Sequence, residues 1–134
     1  MPSLDILFEA AKAIQAKAYA PYSRFKVGAA IATPDGQVFT GCNVENAAYP
    51  VGSCAEAGAI SAMVAAGESR ITEIVVMGEG EHLVTPCGGC RQRIREFAAP
   101  DTPIHIAGPE GIRKRFTLDE LLPFSFGPDN LTDR

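Results

Sequence analysis

The sequence predicts an α/β sandwich built on a mixed sheet, in a single domain. Segments with helical spacing alternate along the chain with short apolar segments typical of strands, and such alternation favours an α/β fold. The length suits one hydrophobic core, so we expect one domain over all 134 residues. Hydrophobic residues make up 46% and charged residues 21%, which is an ordinary globular composition.

Composition also narrows the classes of partner. The net charge is -4 and basic residues form no long cluster, which argues against a nucleic acid polymer as partner. No apolar run approaches the length of a membrane span, so no membrane partner is expected. The N-terminus lacks a basic segment followed by an apolar block, so we expect no secretory signal. Reduced thiols fit a cytoplasmic location.

The first third of the chain predicts a helix and a hairpin. Residues 3–19 carry apolar side chains at helical spacing, with Ser3 as N-cap. Residues 25–32 and 37–42 are predicted strands. The Pro-Asp-Gly sequence at 34–36 is a good turn, so the two strands are expected to form a hairpin.

The remaining segments complete the sheet. Residues 71–77 are almost continuously apolar, as in a strand buried on both faces. Residues 103–107 are predicted to form a shorter strand, residues 118–122 a helical turn, and residues 125–134 a tail.

Two further helices begin at residues with capping character. Ser53 is predicted to cap a helix over residues 53–66. Thr85 is predicted to cap the helix that includes residues 87–97, with Pro86 in the first helical position and Cys87 in the first turn.

Three thiols and one carboxylate stand at these two helix starts. Cys54, Cys87 and Cys90 could bind a zinc ion and leave one tetrahedral position open, which is typical of a catalytic site. Glu56 lies two residues after the first thiol and could move protons for whatever occupies that position. Two helix N-termini would direct partial positive charge at the thiolates.

Other interpretations of these residues remain open. Ser53 and Glu56 also have the spacing of a capping box, so Glu56 could be a helix cap. The Cys-x-x-Cys pair alone could be a redox pair or half of a structural zinc site, and Cys54 alone a buried small residue. Candidates for the fourth ligand of a structural site are Cys42, His82 and His105.

The set of residues resembles a known signature. Cys54-Ala55-Glu56 followed by Pro86-Cys87-Gly88-Gly89-Cys90 resembles that of the zinc deaminases, and the chain is similar to the small, homotetrameric cytidine deaminases. The likeness extends through residues 22–30, 43–50 and 125–128. It implies a three-layer α/β/α sandwich with a five-stranded sheet and one zinc ion per subunit. It also implies hydrolysis of cytidine and 2'-deoxycytidine to uridine and 2'-deoxyuridine plus ammonia, in pyrimidine salvage.

The resemblance implies which groups carry out the deamination and which contact the base. Zinc-bound hydroxide would attack C4 of the base, while Glu56 carries protons to N3 and to the leaving amino group. The backbone of Ala55 would accept a hydrogen bond from the substrate amino group, and Phe25 would lie against the pyrimidine ring.

The resemblance also assigns residues to the sugar and to neighbouring subunits. A strand period of two puts Asn43 and Glu45 on the same side, and an amide beside a carboxylate can pair with sugar hydroxyls. In the family this pair binds ribose. Tyr49 and Phe126 would reach the sites of neighbouring subunits in a homotetramer.

One residue departs from the family pattern. Ala57 stands where many members have an arginine that hydrogen-bonds the ligand cysteines. We expect the helix dipoles and Arg91 to compensate, and hypothesise that the zinc-bound water is slightly less acidic than in members with the arginine. Three alternatives to cytidine deamination remain: a deaminase of a related aminopyrimidine nucleoside, a non-enzymatic zinc module, and a polynucleotide-editing enzyme, which would need a basic channel.

Overall fold

The computed structural model describes residues 2–132 and contains one mixed sheet. Neighbouring strands follow the order β2-β1-β3-β4-β5, in which β3 and β4 are parallel and the other neighbours antiparallel. The strands are β1 (Gly28–Ala32), β2 (Val38–Cys42), β3 (Glu73–Met77), β4 (Pro103–Gly108) and β5 (Gly111–Thr117). The predicted mixed, five-stranded sheet is confirmed.

Helices cover both faces of this sheet. They are α1 (Leu4–Gln15), α2 (Ala55–Ala65), α3 (Gly88–Phe97), α4 (Leu118–Leu121) and α5 (Asp129–Thr132). Side chains of α1 pack with alternate residues of β1 and β3 in one core, and those of α2 and α3 pack with the other residues of the same strands in a second core. The predicted three-layer arrangement is therefore confirmed. Within residues 2–132, no helix has the length and apolarity needed to cross a membrane.

Helix α1 is shorter than the sequence predicts. It begins as expected, with the Ser3 hydroxyl accepting a hydrogen bond from the Ile6 amide at 3.2 Å. It ends at Gln15 rather than at residue 19. The Tyr19 amide instead donates to the Asn43 carbonyl at 3.0 Å, so the chain there is extended alongside the segment that follows β2.

The hairpin between β1 and β2 is confirmed, with a shorter first strand. Gly36 has a φ of +86°, a conformation in which glycine has no steric penalty. Strand β1 begins at Gly28 rather than at residue 25. A Cβ on Gly28 would lie 2.3 Å from the Ala11 carbonyl oxygen, so α1 packs directly on this strand.

The sequence patterning missed strand β5, and it also missed the short helix α5, which lies in the segment predicted as a tail. Strand β5 lies at the edge of the sheet, and two of its three consecutive cations, Lys114 and Arg115, are exposed. Three consecutive cations conceal the alternation that half-buried strands usually show, although charged residues are common on edge strands.

Candidate active site

Two helix N-termini meet at the predicted thiol cluster. Cys54 is the N-cap of α2 and Cys87 is the N-cap of α3, each with an extended backbone. The predicted N-caps Ser53 and Thr85 are therefore wrong. Ser53 is instead paired with Val44 in an antiparallel bridge, and the Thr85 hydroxyl accepts a hydrogen bond from an arginine of α3.

The three thiols fit a zinc ion. The Sγ atoms of Cys54, Cys87 and Cys90 all lie within 4.8 Å of one another, and those of Cys54 and Cys87 are 3.9 Å apart. Tetrahedral ligands at a Zn–S distance of about 2.3 Å would lie about 3.8 Å apart. Cys87 is exposed and Cys90 is buried, so the cluster opens at the protein surface.

The candidates for a fourth protein ligand lie outside this cluster. Within residues 2–132, the group of metal-binding side chains contains only the three cysteines. The Nε2 atom of His105 is 2.6 Å from a carboxylate oxygen of Glu73, and His82 is exposed in a loop. The three thiols thus leave the fourth position open, as a catalytic zinc requires.

Glu56 is held against the cluster in the first turn of α2. Its exposed fraction is 5%, and its carboxylate is hydrogen-bonded with the Cys90 thiol. The capping-box alternative is not formed, because the Ser53 hydroxyl donates instead to the Cys54 carbonyl at 3.5 Å. Burial raises the pKa of the Glu56 carboxyl. A raised pKa suits a group that must both take up and release a proton near neutral pH.

The three thiols differ in acidity. Burial raises the pKa of the Cys90 thiol strongly, and it also raises that of Cys54. Burial acts in the same direction on Cys87, but hydrogen bonds from the Cys90 amide and from the two other thiols outweigh it, so the pKa of Cys87 is lowered. The exposed ligand is therefore the most acidic of the three.

The two arginines of α3 nearest the cluster have different partners. Arg91 donates to the carbonyl oxygens of Pro86 at 2.7 Å and Leu121 at 2.8 Å, and to the Thr85 hydroxyl at 3.0 Å. Arg91 thereby connects the loop that precedes α3 with helix α4. Arg93 was not among the residues predicted for the site, and it donates from Nη1 to the Cys90 sulfur at 3.4 Å. Its position three residues after Cys90, on the same helix face, was the available signal.

The predicted sugar-binding pair follows β2 directly. The Asn43 amide oxygen accepts from the Val27 amide at 2.9 Å, and its nitrogen donates to the Phe25 carbonyl at 2.9 Å. The side chain of Asn43 therefore holds the segment that carries Phe25. The Phe25 side chain is 39% exposed, unlike a core aromatic residue.

Glu45 holds the neighbouring turn. Its Oε1 accepts hydrogen bonds from the amides of Tyr22 and Ser23, each at 3.0 Å, and its Oε2 accepts one from the Ser23 hydroxyl. Hydrogen bonds from Ser23 lower the pKa of the Glu45 carboxyl. A cavity of about 390 Å³ adjoins this carboxylate, and its lining includes Tyr22, Ser23, Glu45, Asn46, Tyr49 and Gly52. Ser23 has a part here that sequence reasoning did not assign, although it stands in the Tyr-Ser-Arg-Phe segment that carries the resemblance.

The two aromatic residues predicted to reach neighbouring subunits are exposed. Tyr49 is 75% exposed, and its ring centroid is 5.9 Å from that of Tyr22. Phe126 is 59% exposed, and its carbonyl accepts a hydrogen bond from Gln92 of α3 at 2.8 Å. Neither ring contributes to the cores of this chain.

The backbone of Ala55 has a different orientation from the one its predicted role requires. As the first residue of α2, Ala55 directs its carbonyl along the helix, where its oxygen lies 2.3 Å from the position of a Cβ on Gly41. The first N–H groups of a helix have no acceptor within the helix. The Ala55 amide, rather than its carbonyl, is therefore the group suited to meet a ligand at this end.

Comparisons with known proteins agree on one family. Residues 1–106 match the family described as the cytidine and deoxycytidylate deaminase zinc-binding region. A cytidine deaminase of Halalkalibacterium halodurans is 40% identical, over 91% of this chain and 94% of that protein. A cytidine deaminase of Mycobacterium tuberculosis is 39% identical, over 98% and 96%. The crystal structure of a cytidine deaminase from Burkholderia pseudomallei superimposes with a TM-score of 0.88 at 44% identity, over 93% of this chain and all of that one.

Proposed function

This chain belongs to the cytidine and deoxycytidylate deaminase family, and we propose that it converts cytidine and 2'-deoxycytidine, with water, into the corresponding uridines and ammonia. Cys54, Cys87 and Cys90 hold one zinc ion, and Glu56 carries the protons. The observation that carries this proposal is the buried carboxylate of Glu56 beside three mutually adjacent thiols with no fourth protein ligand among residues 2–132.

Different residues of the chain bind the metal, transfer protons and contact the base in the proposed reaction. Cys54, Cys87 and Cys90 would hold the zinc ion, which would make hydroxide available at neutral pH by lowering the pKa of a bound water to about 7. Glu56 accepts a proton from the attacking water and delivers it to N3 of the pyrimidine. The oxygen bonds to C4, and Glu56 takes the second proton from that oxygen and gives it to the exocyclic nitrogen. The C4–N bond then breaks, ammonia leaves, and C4 becomes a carbonyl. The Ala55 amide, which has no acceptor within α2, donates a hydrogen bond to the base in place of the role expected for its carbonyl.

Four further residues recognise the nucleoside. Phe25 lies against the pyrimidine ring, in a segment braced by the Asn43 side chain. Asn43 and Glu45 bind the sugar hydroxyls. Glu45 uses three hydrogen bonds to fix its carboxylate at the wall of the cavity, and a carboxylate can accept about four. One acceptor site thus remains for a hydroxyl of the sugar.

The test is a paired assay of the wild-type protein and Glu56→Gln. Cytidine absorbance is followed in the ultraviolet, and the zinc content of both proteins is measured. We expect conversion to the uracil spectrum by wild type, a loss of about 10²–10⁴-fold in rate for the variant, and the same zinc content in both. Full activity of Glu56→Gln would contradict the role of Glu56. Bound zinc without conversion by wild type would indicate another aminopyrimidine nucleoside as substrate.

We further propose a homotetramer whose active sites are shared between subunits. Tyr49 and Phe126 support it, because both are largely exposed aromatic side chains, and aromatic residues are enriched at protein–protein interfaces. Light scattering tests the assembly directly. A monomer with full activity would contradict it.

The proposed setting is pyrimidine salvage in the cytoplasm. The four cysteines are free thiols, and a thiolate metal site is best maintained in a reducing compartment. Fractionation of cells followed by a deaminase assay would test the location.

A further inference from the structure

A zinc ion with three thiolate ligands carries a net negative charge, and a buried carboxylate beside it adds another. The two helix N-termini at Cys54 and Cys87 offset part of this charge, since each has the strength of about half a positive charge. A full positive charge in contact with a ligand sulfur would offset considerably more. The side chain after the catalytic glutamate, Ala57, cannot provide it.

Among residues 2–132, Arg93 is the cation whose side chain donates a hydrogen bond to a thiol of the cluster. Its Nη1 atom lies 3.4 Å from the Sγ atom of Cys90, which is the fully buried ligand. The two residues are three apart on α3, so they share one helix face. The arginine side chain itself is exposed, which means that its position depends on the contacts of its guanidinium.

Local packing leaves room for this contact. Gly89 precedes Cys90, and a Cβ at this position would stand 3.3 Å from Arg93 Nη1. The glycine therefore allows the guanidinium to lie close over the first turn of α3. The other arginine of this region, Arg91, is committed to two carbonyl oxygens and the Thr85 hydroxyl.

We propose that Arg93 is a positioning residue of the metal centre, which orients Cys90 toward zinc through an N–H···S hydrogen bond and offsets the negative charge of the three thiolates. This inference rests on the proposed assignment of the three cysteines as zinc ligands. Arg93 contacts a ligand and not the nucleoside, so it acts on zinc retention and on turnover rather than on substrate binding. Outer contacts of this kind typically change metal affinity by about 10–100-fold.

The test compares zinc release from four zinc-loaded proteins: wild type, Arg93→Met, Arg93→Lys and Arg115→Met. Arg115 is the matched control, because it is an exposed arginine on edge strand β5. Helix α2, which carries Cys54, packs on β2 at the opposite edge of the sheet. Each protein is mixed with an excess of a chromogenic zinc chelator, and the release rate is recorded. Thermal unfolding of each loaded protein is measured beside it.

We expect Arg93→Met to release zinc about 10–100-fold faster than wild type. Arg93→Lys, which keeps the charge, should recover a large part of the difference, and Arg115→Met should match wild type. In the cytidine assay, kcat should fall for Arg93→Met while KM stays unchanged.

Three results would overturn the inference. They are release from Arg93→Met at the wild-type rate, equal acceleration in the Met and Lys variants, and equal acceleration in the Arg115 control. Absence of stoichiometric zinc from the wild-type protein is a distinct result, because it would contradict the proposed ligands themselves.

Discussion

The backbones of Val44 and Ser53 are hydrogen-bonded in both directions, with each amide 2.9 Å from the carbonyl oxygen of the other residue. Val44 separates Asn43 from Glu45, and Ser53 directly precedes Cys54. This short bridge therefore joins the residues proposed for the sugar to the first proposed zinc ligand. In the proposed complex, backbone hydrogen bonds rather than mobile side chains therefore set the spacing between the sugar-binding residues and the first zinc ligand.

The first prediction concerns the carboxylate of Glu45. We expect Glu45→Gln to lower the preference for cytidine over 2',3'-dideoxycytidine by roughly ten- to a hundred-fold, since hydrogen bonds to charged groups contribute about 1.5–3 kcal/mol. Glutamine keeps an oxygen that can accept from the Tyr22 and Ser23 amides, so the turn should remain in place. The ratio of the two kcat/KM values measures the effect. An unchanged ratio would show that Glu45 does not bind a sugar hydroxyl.

The second prediction concerns pH. The pKa of Glu45 is lowered from its ordinary value of 4.5, chiefly by the hydrogen bond from the Ser23 hydroxyl. Because the folded-state pKa is depressed, the stabilising contacts of this carboxylate are fully present above pH 4.5 and are lost as the pH falls through the lowered value. In Ser23→Ala we expect the pKa to rise toward 4.5, so that KM for cytidine begins to increase at a higher pH on the acid side.

A titration of the Glu45 carboxyl carbon by NMR measures this shift directly. Ser23→Thr is the matched control, because it keeps the hydroxyl and should keep the low pKa. Identical titration curves for the alanine and threonine variants would refute the role of the hydroxyl.

The sequence predicted the thiol cluster more reliably than it predicted the helix ends that carry it. Three cysteines and a glutamate could be singled out from residue type and spacing alone, because few side chains bind zinc or move protons. The N-caps could not be predicted in this way. Ser53 is a residue type that often caps helices, but its backbone is paired with Val44. That pairing joins residues distant in sequence, and local propensity carries no information about it.

Two further features were not predicted from the sequence because they involve charged residues. Strand β5 went unpredicted because its arginines and lysine obscure the alternation of an edge strand. The contact of Arg93 with Cys90 went unpredicted because an arginine on a helix is usually a solvated residue. Arg91 was the residue expected from sequence to offset the thiolate charge. It instead connects the loop that precedes α3 with helix α4. Distinguishing these two arginines requires the three-dimensional positions of their partners.

The third prediction concerns the packing of α2 on β2. A Cβ on Gly41 would lie 2.3 Å from both the Ala55 carbonyl oxygen and the Ala59 amide nitrogen. These are backbone atoms, so Gly41→Ala must displace the helix that carries Cys54 and Glu56. We expect a loss of about 1–3 kcal/mol in the free energy of unfolding and a fall in kcat. Urea unfolding of the zinc-loaded protein measures the first, and the cytidine assay the second.

Gly58 provides the matched control for this prediction. It lies within α2 opposite Gly41, but a Cβ at this position would meet its nearest atom at 3.5 Å, an ordinary contact. Gly58→Ala should therefore raise the free energy of unfolding by about 0.5–1 kcal/mol, as replacement of an interior helix glycine usually does. Equal destabilisation by both variants would mean that α2 does not depend on close approach at Gly41.

The last prediction concerns the thiols after removal of the metal. When zinc is extracted with a chelator and the protein is treated with iodoacetamide, we expect Cys87 to be alkylated first and Cys90 last. Cys87 is exposed and its pKa is lowered, so more of it is thiolate, the form that reacts. Cys90 is buried and its pKa is raised by burial. Peptide mass spectrometry at successive times gives the order.

Cys42 is the internal control, because it lies at the end of β2 outside the thiol cluster. Restoring zinc should protect the three ligands from alkylation and leave the rate at Cys42 unchanged. Equal protection of Cys42 would indicate that zinc acts by tightening the whole fold rather than by binding these thiols. Reaction of Cys90 ahead of Cys87 would show that α3 opens when the metal leaves, and that the exposure of the two thiols in the folded chain does not govern their reactivity.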